Sequence, residues 1–221
     1  MQLKSLVCKN YTWKNLVRCS YNEHAIDSSL HFVAVPEPTH LIIDSRSGNG
    51  DGMSHLLHAL GHQLLSQNAD LFAASAERLF MNCVTQPQCL KKLLAVDWLL
   101  IDDINFLLGK QDALINSIFV MLVARTLKGQ KTLFTLALKV DELELSQPNK
   151  HLDFLYSGSH CRLESPSLTD KFTIAQSICQ SLHFAPNQQT LTSFVSEAQN
   201  IRHLANLLTR FDAVRKLNIS H

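Results

Sequence analysis

Between residues 40 and 164, short blocks of consecutive apolar residues alternate with longer stretches whose apolar residues recur at spacings of three and four. The blocks are His40 to Asp44 (HLIID), Asp70 to Ser75 (DLFAAS), Asp97 to Asp103 (DWLLIDD), Lys131 to Leu138 (KTLFTLAL) and His160 to Glu164 (HCRLE). Strict alternation would mark strands wetted on one face. Consecutive apolar positions instead predict a parallel sheet covered on both faces. The intervening stretches predict helices over 54 to 66, 76 to 94 with a break at Pro87, 110 to 127 and 140 to 146, with Pro148 and Asn149 marking the next break. The predicted fold class is α/β, a five-stranded parallel sheet flanked by helices.

After Pro166 the pattern changes to three helical stretches, 168 to 183, 187 to 198 and 200 to 217, without another strand-like block. Thr169 ahead of Asp170 and the Pro186 turn are plausible start signals. The expected organisation is an N-terminal tail (1 to 10), an α/β core (11 to 165) and a small all-α lid subdomain (166 to 221). Nothing is left over for a dedicated DNA-reading domain.

Composition narrows the picture. The 221 residues are 46% hydrophobic and 18% charged, with seven glycines and six prolines, a globular balance rather than a disordered one. The formal net charge of +1 supplies no bulk field toward nucleic acid or anionic membrane. With no membrane-length apolar run and no secretory leader in MQLKSLVCKN, the expected location is cytoplasmic. Six cysteines without a CxxC pair read as reduced, mostly buried thiols.

The candidate chemistry sits at two strand ends. Ser47-Gly48-Asn49-Gly50-Asp51-Gly52-Met53-Ser54 lies between the first strand and a helix, where backbone N–H groups and a helix N-terminus can face a phosphate. Against the pattern GxxxxGK[ST], Ser47 replaces the first Gly and Met53 the Lys, while Gly52 and Ser54 are kept. Losing the Lys removes a charge-assisted hydrogen bond of about 1.5 to 3 kcal/mol. Asp51 adds a negative charge to the loop, and both changes oppose polyphosphate binding. The other reading is a ligand-free glycine turn.

Leu99-Leu100-Ile101-Asp102-Asp103 is an apolar strand ending in two carboxylates, about 50 residues after the glycine loop. In a Walker B layout Asp102 holds Mg²⁺ through water, with Ser54 as the other metal partner, and Asp103 is the catalytic base. His55, His58 and His62 share a helical face at metal-ligand spacing, but a structural role is favoured.

Together Gly52 to Ala59, Leu99 to Phe106, Tyr11 to Val17 and Ser75 to Leu79 resemble the corresponding boxes of DnaA-family AAA+ proteins. The likeness runs from about residue 11 to 217. It implies a P-loop AAA+ core whose segment at 11 to 17 helps to enclose adenine. It implies cofactor contacts at Gly48, Gly50, Gly52, Met53, Ser54, Asp102, Thr135 and Arg202, the last lying in Asn200-Ile201-Arg202-His203-Leu204, similar to the family's N-V-R-E-L. Of the family's T-S-D-R sensor only Thr135 persists, followed by Leu136, Ala137 and Leu138. The interprotomer arginine falls in Asp153-Phe154-Leu155, so it is missing.

Without a DNA-reading domain the chain is most similar to the short Hda-type members, regulatory inactivators of the initiator. The resemblance implies a non-hydrolysing regulator or adaptor of replication initiation. It would hold ADP or ATP with Mg²⁺, or nothing if the loop is inactive, and contact the initiator DnaA or another AAA+ protein. The alternatives are a slow ATPase of helicase-loader type and a nucleotide-free scaffold. Gln2-Leu3-Lys4-Ser5-Leu6-Val7 resembles a sliding-clamp docking peptide with Ser5 in place of the middle Leu. Self-association is left open, and no membrane partner is expected.

Overall fold

The computed structural model describes residues 7 to 137 and 150 to 219. The helix expected over 140 to 146, the sensor position Leu138 and most of the clamp-like peptide, Gln2 to Leu6, lie outside the described residues.

Five strands form one parallel sheet: β1 (His40–Ser45), β2 (Leu71–Ser75), β3 (Trp98–Asp102), β4 (Lys131–Leu136) and β5 (Ser159–Leu163), in the order β2-β3-β4-β1-β5. Every residue of β1 and β4 is buried, as consecutive apolar positions require. Alternate residues feed opposite faces. Leu41, Ile43, Leu133 and Leu100 pack against α1 (Glu23–Ala34) and α2 (Met53–Ser66). Ile42, Phe134, Leu136, Leu99 and Ile101 pack against α3 (Ala76–Thr85), α4 (Cys89–Leu93), α5 (Ala113–Leu127) and α6 (Lys150–Tyr156). A third cluster, with Ala175, Val195, Leu204 and Leu208 at its centre, joins α7 (Leu168–Ser181), α8 (Gln188–Glu197) and α9 (Ile201–Ile219). Among the described residues no helix is long and apolar enough to cross a membrane.

The differences from the sequence expectation have local causes. The stretch 76 to 94 is two helices separated at Pro87. The helix expected from 110 starts at Ala113, because the Asp112 carboxylate accepts from the N–H groups of Leu114 (2.7 Å) and Ile115 (3.2 Å). Ser167, not Thr169, caps α7 in a reciprocal box with Asp170, and Asn187 caps α8. Two helices escaped the pattern, α1 and the seven-residue α6.

One cation is central to the framework. Arg125 of α5 is fully buried, and its hydrogen bonds among the described residues go to carbonyls and a hydroxyl. Its Nη1 donates to the carbonyls of Leu93 (2.5 Å) and Val96 (2.9 Å), and its Nη2 to those of Asp97 (3.2 Å) and Lys131 (2.8 Å). Its Nε donates to Thr132 Oγ1 (3.2 Å). It thereby ties the approach to β3 to the start of β4. Burial pushes its pKa down to about 10, so it stays charged at neutral pH.

Replacing Arg125 with Met keeps the stem but leaves several buried carbonyls without donors, a loss of about 3 kcal/mol or more. Urea unfolding of Arg125→Met is expected to show a clearly lowered midpoint, with the exposed control Arg210→Met close to wild type. Equal midpoints would remove Arg125 from this role.

Candidate nucleotide-binding site

The carboxyl ends of parallel strands leave a crevice above the sheet, where ligands of such folds bind. Here β1 gives way after Ser45 to a loop that enters α2 at Met53. Gly48, Gly50 and Gly52 take left-handed φ values of 86°, 104° and 107°. At Gly50 the need for glycine is double, because a Cβ would stand 2.6 Å from Asn200 Cγ. That closeness comes from the helical subdomain docking on the loop. The Arg202 N–H donates to the Gly50 carbonyl (2.8 Å) and Asn200 Nδ2 to the Asn49 carbonyl (3.1 Å). From the core side Tyr21 donates its hydroxyl proton to the Asp51 carbonyl (3.1 Å).

The second strand end is joined to the first by one carboxylate oxygen. Asp102 Oδ1 accepts from Ser54 Oγ (3.0 Å) and from Thr135 Oγ1 (2.5 Å). Thr135 Oγ1 in turn accepts from the Asp103 N–H (2.8 Å). Asp103 sits at a left-handed φ of 55°. Burial and the neighbouring Asp102 raise its pKa, against the pull of Arg202. Ser54, Asp102, Asp103 and Thr135 are thus one constellation, with Arg202 facing it across the crevice.

Two adjoining cavities lie over this frame. One, of about 240 Å³, is lined by Asn49, Gly50, Gly52, Met53, Ser54, Arg202 and Tyr11 among others. The other, of about 490 Å³, is lined largely by apolar groups of Leu16, Val17, Tyr21, Ile174, Ile178 and Ile201. Backbone N–H groups, a hydroxyl and a guanidinium on one side and an apolar slot on the other fit a phosphate-bearing group attached to a flat heterocycle. Gly48 lies on the far turn of the loop, its N–H donating to the Ser45 carbonyl.

Two loop side chains behave unlike their letters. Met53, in the Lys position, is only 4% exposed and packs with Leu56, Leu57 and Leu60 in the core, so an apolar group stands where a cation is wanted. Asp51 does not line either cavity. It is fully buried, and its Oδ2 accepts from Ser45 Oγ (3.0 Å). The expectation that Asp51 repels a ligand phosphate across the loop is therefore replaced by an internal, desolvated carboxylate.

The histidine trio contacts the N-terminal segment, and His58 Nε2 also lies 4.0 Å from Asp102 Oδ2. His55 Nε2 pairs with the Thr12 carbonyl (3.0 Å) and His62 Nε2 with that of Cys8 (2.9 Å), while His58 Nδ1 accepts from the Cys8 N–H (3.4 Å). Tyr11 stacks on His55 at 4.9 Å. They fasten residues 8 to 12 along α2, and burial lowers the pKa of His55 and His58. Among the described residues no group of three or more His, Cys, Asp or Glu could hold a metal. Phe154 stacks on His40 at 4.7 Å.

Sequence reasoning missed an ion cluster one strand away. Asp44 is 1% exposed, and Arg162 grips it through Nε (3.0 Å) and Nη2 (2.7 Å) while His160 Nε2 approaches at 2.9 Å. Burial alone would raise the carboxyl pKa, but these partners outweigh it and hold it below the usual range. The only available signal was the register placing Asp44 opposite Arg162.

A family profile described as the bacterial DnaA ATPase domain matches residues 7 to 152. In three dimensions the chain is similar to domain III of the Thermotoga maritima replication initiation protein DnaA, with a TM-score of 0.84, 20% identity, and coverage of 97% of this chain and 92% of that one. It is also similar to AMPPCP-bound DnaA from Aquifex aeolicus (TM-score 0.79, 16% identity, 90% of this chain and 64% of that one). Similarity to DnaI is lower, with a TM-score of 0.56, 20% identity, and 70% and 89% coverage.

The buried Asp51 generates a pH prediction. Burial raises its pKa, so the folded chain keeps this proton to higher pH than the unfolded chain does, and ionisation costs stability as pH rises above the ordinary carboxylate range. Asp51→Asn avoids that cost. Its melting temperature relative to wild type should therefore climb between pH 4 and pH 7. A difference that falls over this range would make the carboxylate a net stabiliser.

Proposed function

The chain belongs to the bacterial DnaA ATPase domain family, and on that premise we propose that it is a regulatory or adaptor AAA+ protein of replication initiation. It holds an adenine nucleotide without efficient turnover and acts through contact with an AAA+ partner, the initiator DnaA foremost. The observation that carries this reading is the fate of Met53. With its side chain in the core beside Leu56 and Leu57, residue 53 brings no ammonium to the phosphate side of the crevice, whose lining includes Ser54 and Arg202.

Further support comes from two more charge-bearing positions of the family pattern. Ala137 stands in the phosphate-sensing strand end and Phe154 in the arginine position, where its ring packs on His40. The chain therefore offers no arginine from that position to a neighbour's nucleotide. What remains, Asp102, Ser54, Thr135 and Arg202, suits holding a nucleotide diphosphate or triphosphate with Mg²⁺ near Asp102 and Ser54. The apolar slot between Leu16, Val17 and Ile178 suits the adenine. Binding of this kind stabilises the fold by mass action.

Titration with ADP and with ATP, each with and without Mg²⁺, is expected to raise the melting temperature saturably. Arg202→Ala should abolish most of that shift. Absence of any shift at millimolar nucleotide would point to a nucleotide-free scaffold. ATP turnover that disappears in Asp103→Asn would overturn the non-hydrolysing reading in favour of a slow ATPase. Capture of purified DnaA by the purified chain tests the partner.

Restoring the cation tests the carrying observation itself. Met53→Lys should tighten nucleotide binding by about tenfold or more, the size of a charge-assisted hydrogen bond, and should lower stability because a core methionine is lost. Unchanged affinity would mean that phosphate does not lie against residue 53.

A further inference from the structure

The sequence spaces Cys83 and Cys89 six apart, unlike a CxxC motif, yet the fold brings them together. Cys83 lies in the last turn of α3 and Cys89 opens α4, and the turn at Gln86 to Gln88 folds back between them, with the Cys89 N–H donating to the Gln86 carbonyl (2.8 Å). The Cys83 thiol donates to Cys89 Sγ at 3.0 Å. Both sulfurs sit in the core cluster, Cys89 at 1% exposure and Cys83 at 8%, so Cys83 forms the edge nearest solvent.

We infer that Cys83 and Cys89 form an oxidisable dithiol, a modification site at which a hydroperoxide converts the pair into a disulfide across the α3–α4 turn. The sulfurs need to close by only about 1 Å to reach a bond length of about 2.05 Å. Their environment also divides the two roles. The hydrogen bond from Cys83 lowers the pKa of Cys89, while the same bond and burial raise that of Cys83.

The chemistry balances without another reductant. Cys89 sulfur, as thiolate, attacks one peroxide oxygen; the O–O bond breaks, and the departing hydroxide takes up the proton that Cys89 released to solvent on ionising and leaves as water, while the Cys83 thiol keeps its proton for the second step. Cys83 sulfur then attacks the sulfenic sulfur of Cys89, and the S–O bond breaks with loss of a second water. The two thiols give up two electrons, and hydrogen peroxide becomes two waters. Both cysteines belong to the cluster containing Leu79, Ile104 and Leu107.

The test uses the full chain and hydrogen peroxide, followed by alkylation and tryptic mapping. Both cysteines fall in one tryptic peptide, Leu79 to Lys91. That peptide is expected to become lighter by two hydrogens and resistant to iodoacetamide, and the melting temperature to rise by about 5 °C, as for a short closed loop. Dithiothreitol should reverse both changes. Cys83→Ser should show neither, and because the mass map needs only the wild-type chain, a folding defect in the variant does not spoil the test. Persistence of two alkylatable thiols, sulfinic acid on one cysteine without a crosslink, or a crosslink to another cysteine would each overturn the inference.

Discussion

A parallel sheet buried on both faces leaves its strands few places for polar side chains other than their ends, and everything distinctive about this chain follows from that constraint. The interiors of β1, β3 and β4 are largely apolar, and the ends of β3 and β4 bring Asp102 and Thr135 together with Ser54 at the start of α2. There, burial penalises any group without a partner, so the polar side chains bond to one another. Asp102 is the hub. By accepting from Ser54 and Thr135 at a single oxygen it fixes the start of α2 and the end of β4 against β3.

This explains why the core of the fold could be read from letters while much of the site could not. Consecutive apolar blocks report two-sided burial directly, and a pair of acids after such a block has to lie at a strand end, so the strands and Asp102 and Asp103 were legible. Helix α1 was not. Ser29 sits buried in the middle of its inner face, bonded to the Ala25 carbonyl, and breaks the apolar stripe. The short α6 has too few turns for periodicity to register. The Asp44–Arg162 pair depends on the register of β1 against β5, which no local pattern specifies. For Cys83 and Cys89, proximity arises from a turn around Pro87 rather than from spacing on one helix. Asp51 shows a further limit: its charge was evident, its direction was not, and direction decides whether a carboxylate meets a ligand or the core.

The positions that keep the family pattern are those with a second, mechanical duty. Thr135 supports the Asp103 N–H as well as Asp102, and Gly50 is required by the approach of Asn200. The backbone of Arg202 holds the loop whatever its side chain does. Removing any of them would disturb the frame even if no nucleotide ever bound. On the reading proposed above, Met53, Ala137 and Phe154 stand where the family pattern asks for groups whose work is electrostatic.

Those three positions have been taken over by packing. Met53 and Ala137 join the cluster on the α2 face of the sheet, and Phe154 stacks on His40 against the other. A lysine at 53 would have to leave its stem in that core and carry its ammonium out to the crevice, while the methionine simply adds buried apolar surface, about 2 kcal/mol for a side chain of this size. Charge and packing therefore compete for the same volume at residue 53. With packing favoured at residue 53, the loop still keeps its glycine geometry and its hydrogen bonds to Asn200 and Arg202.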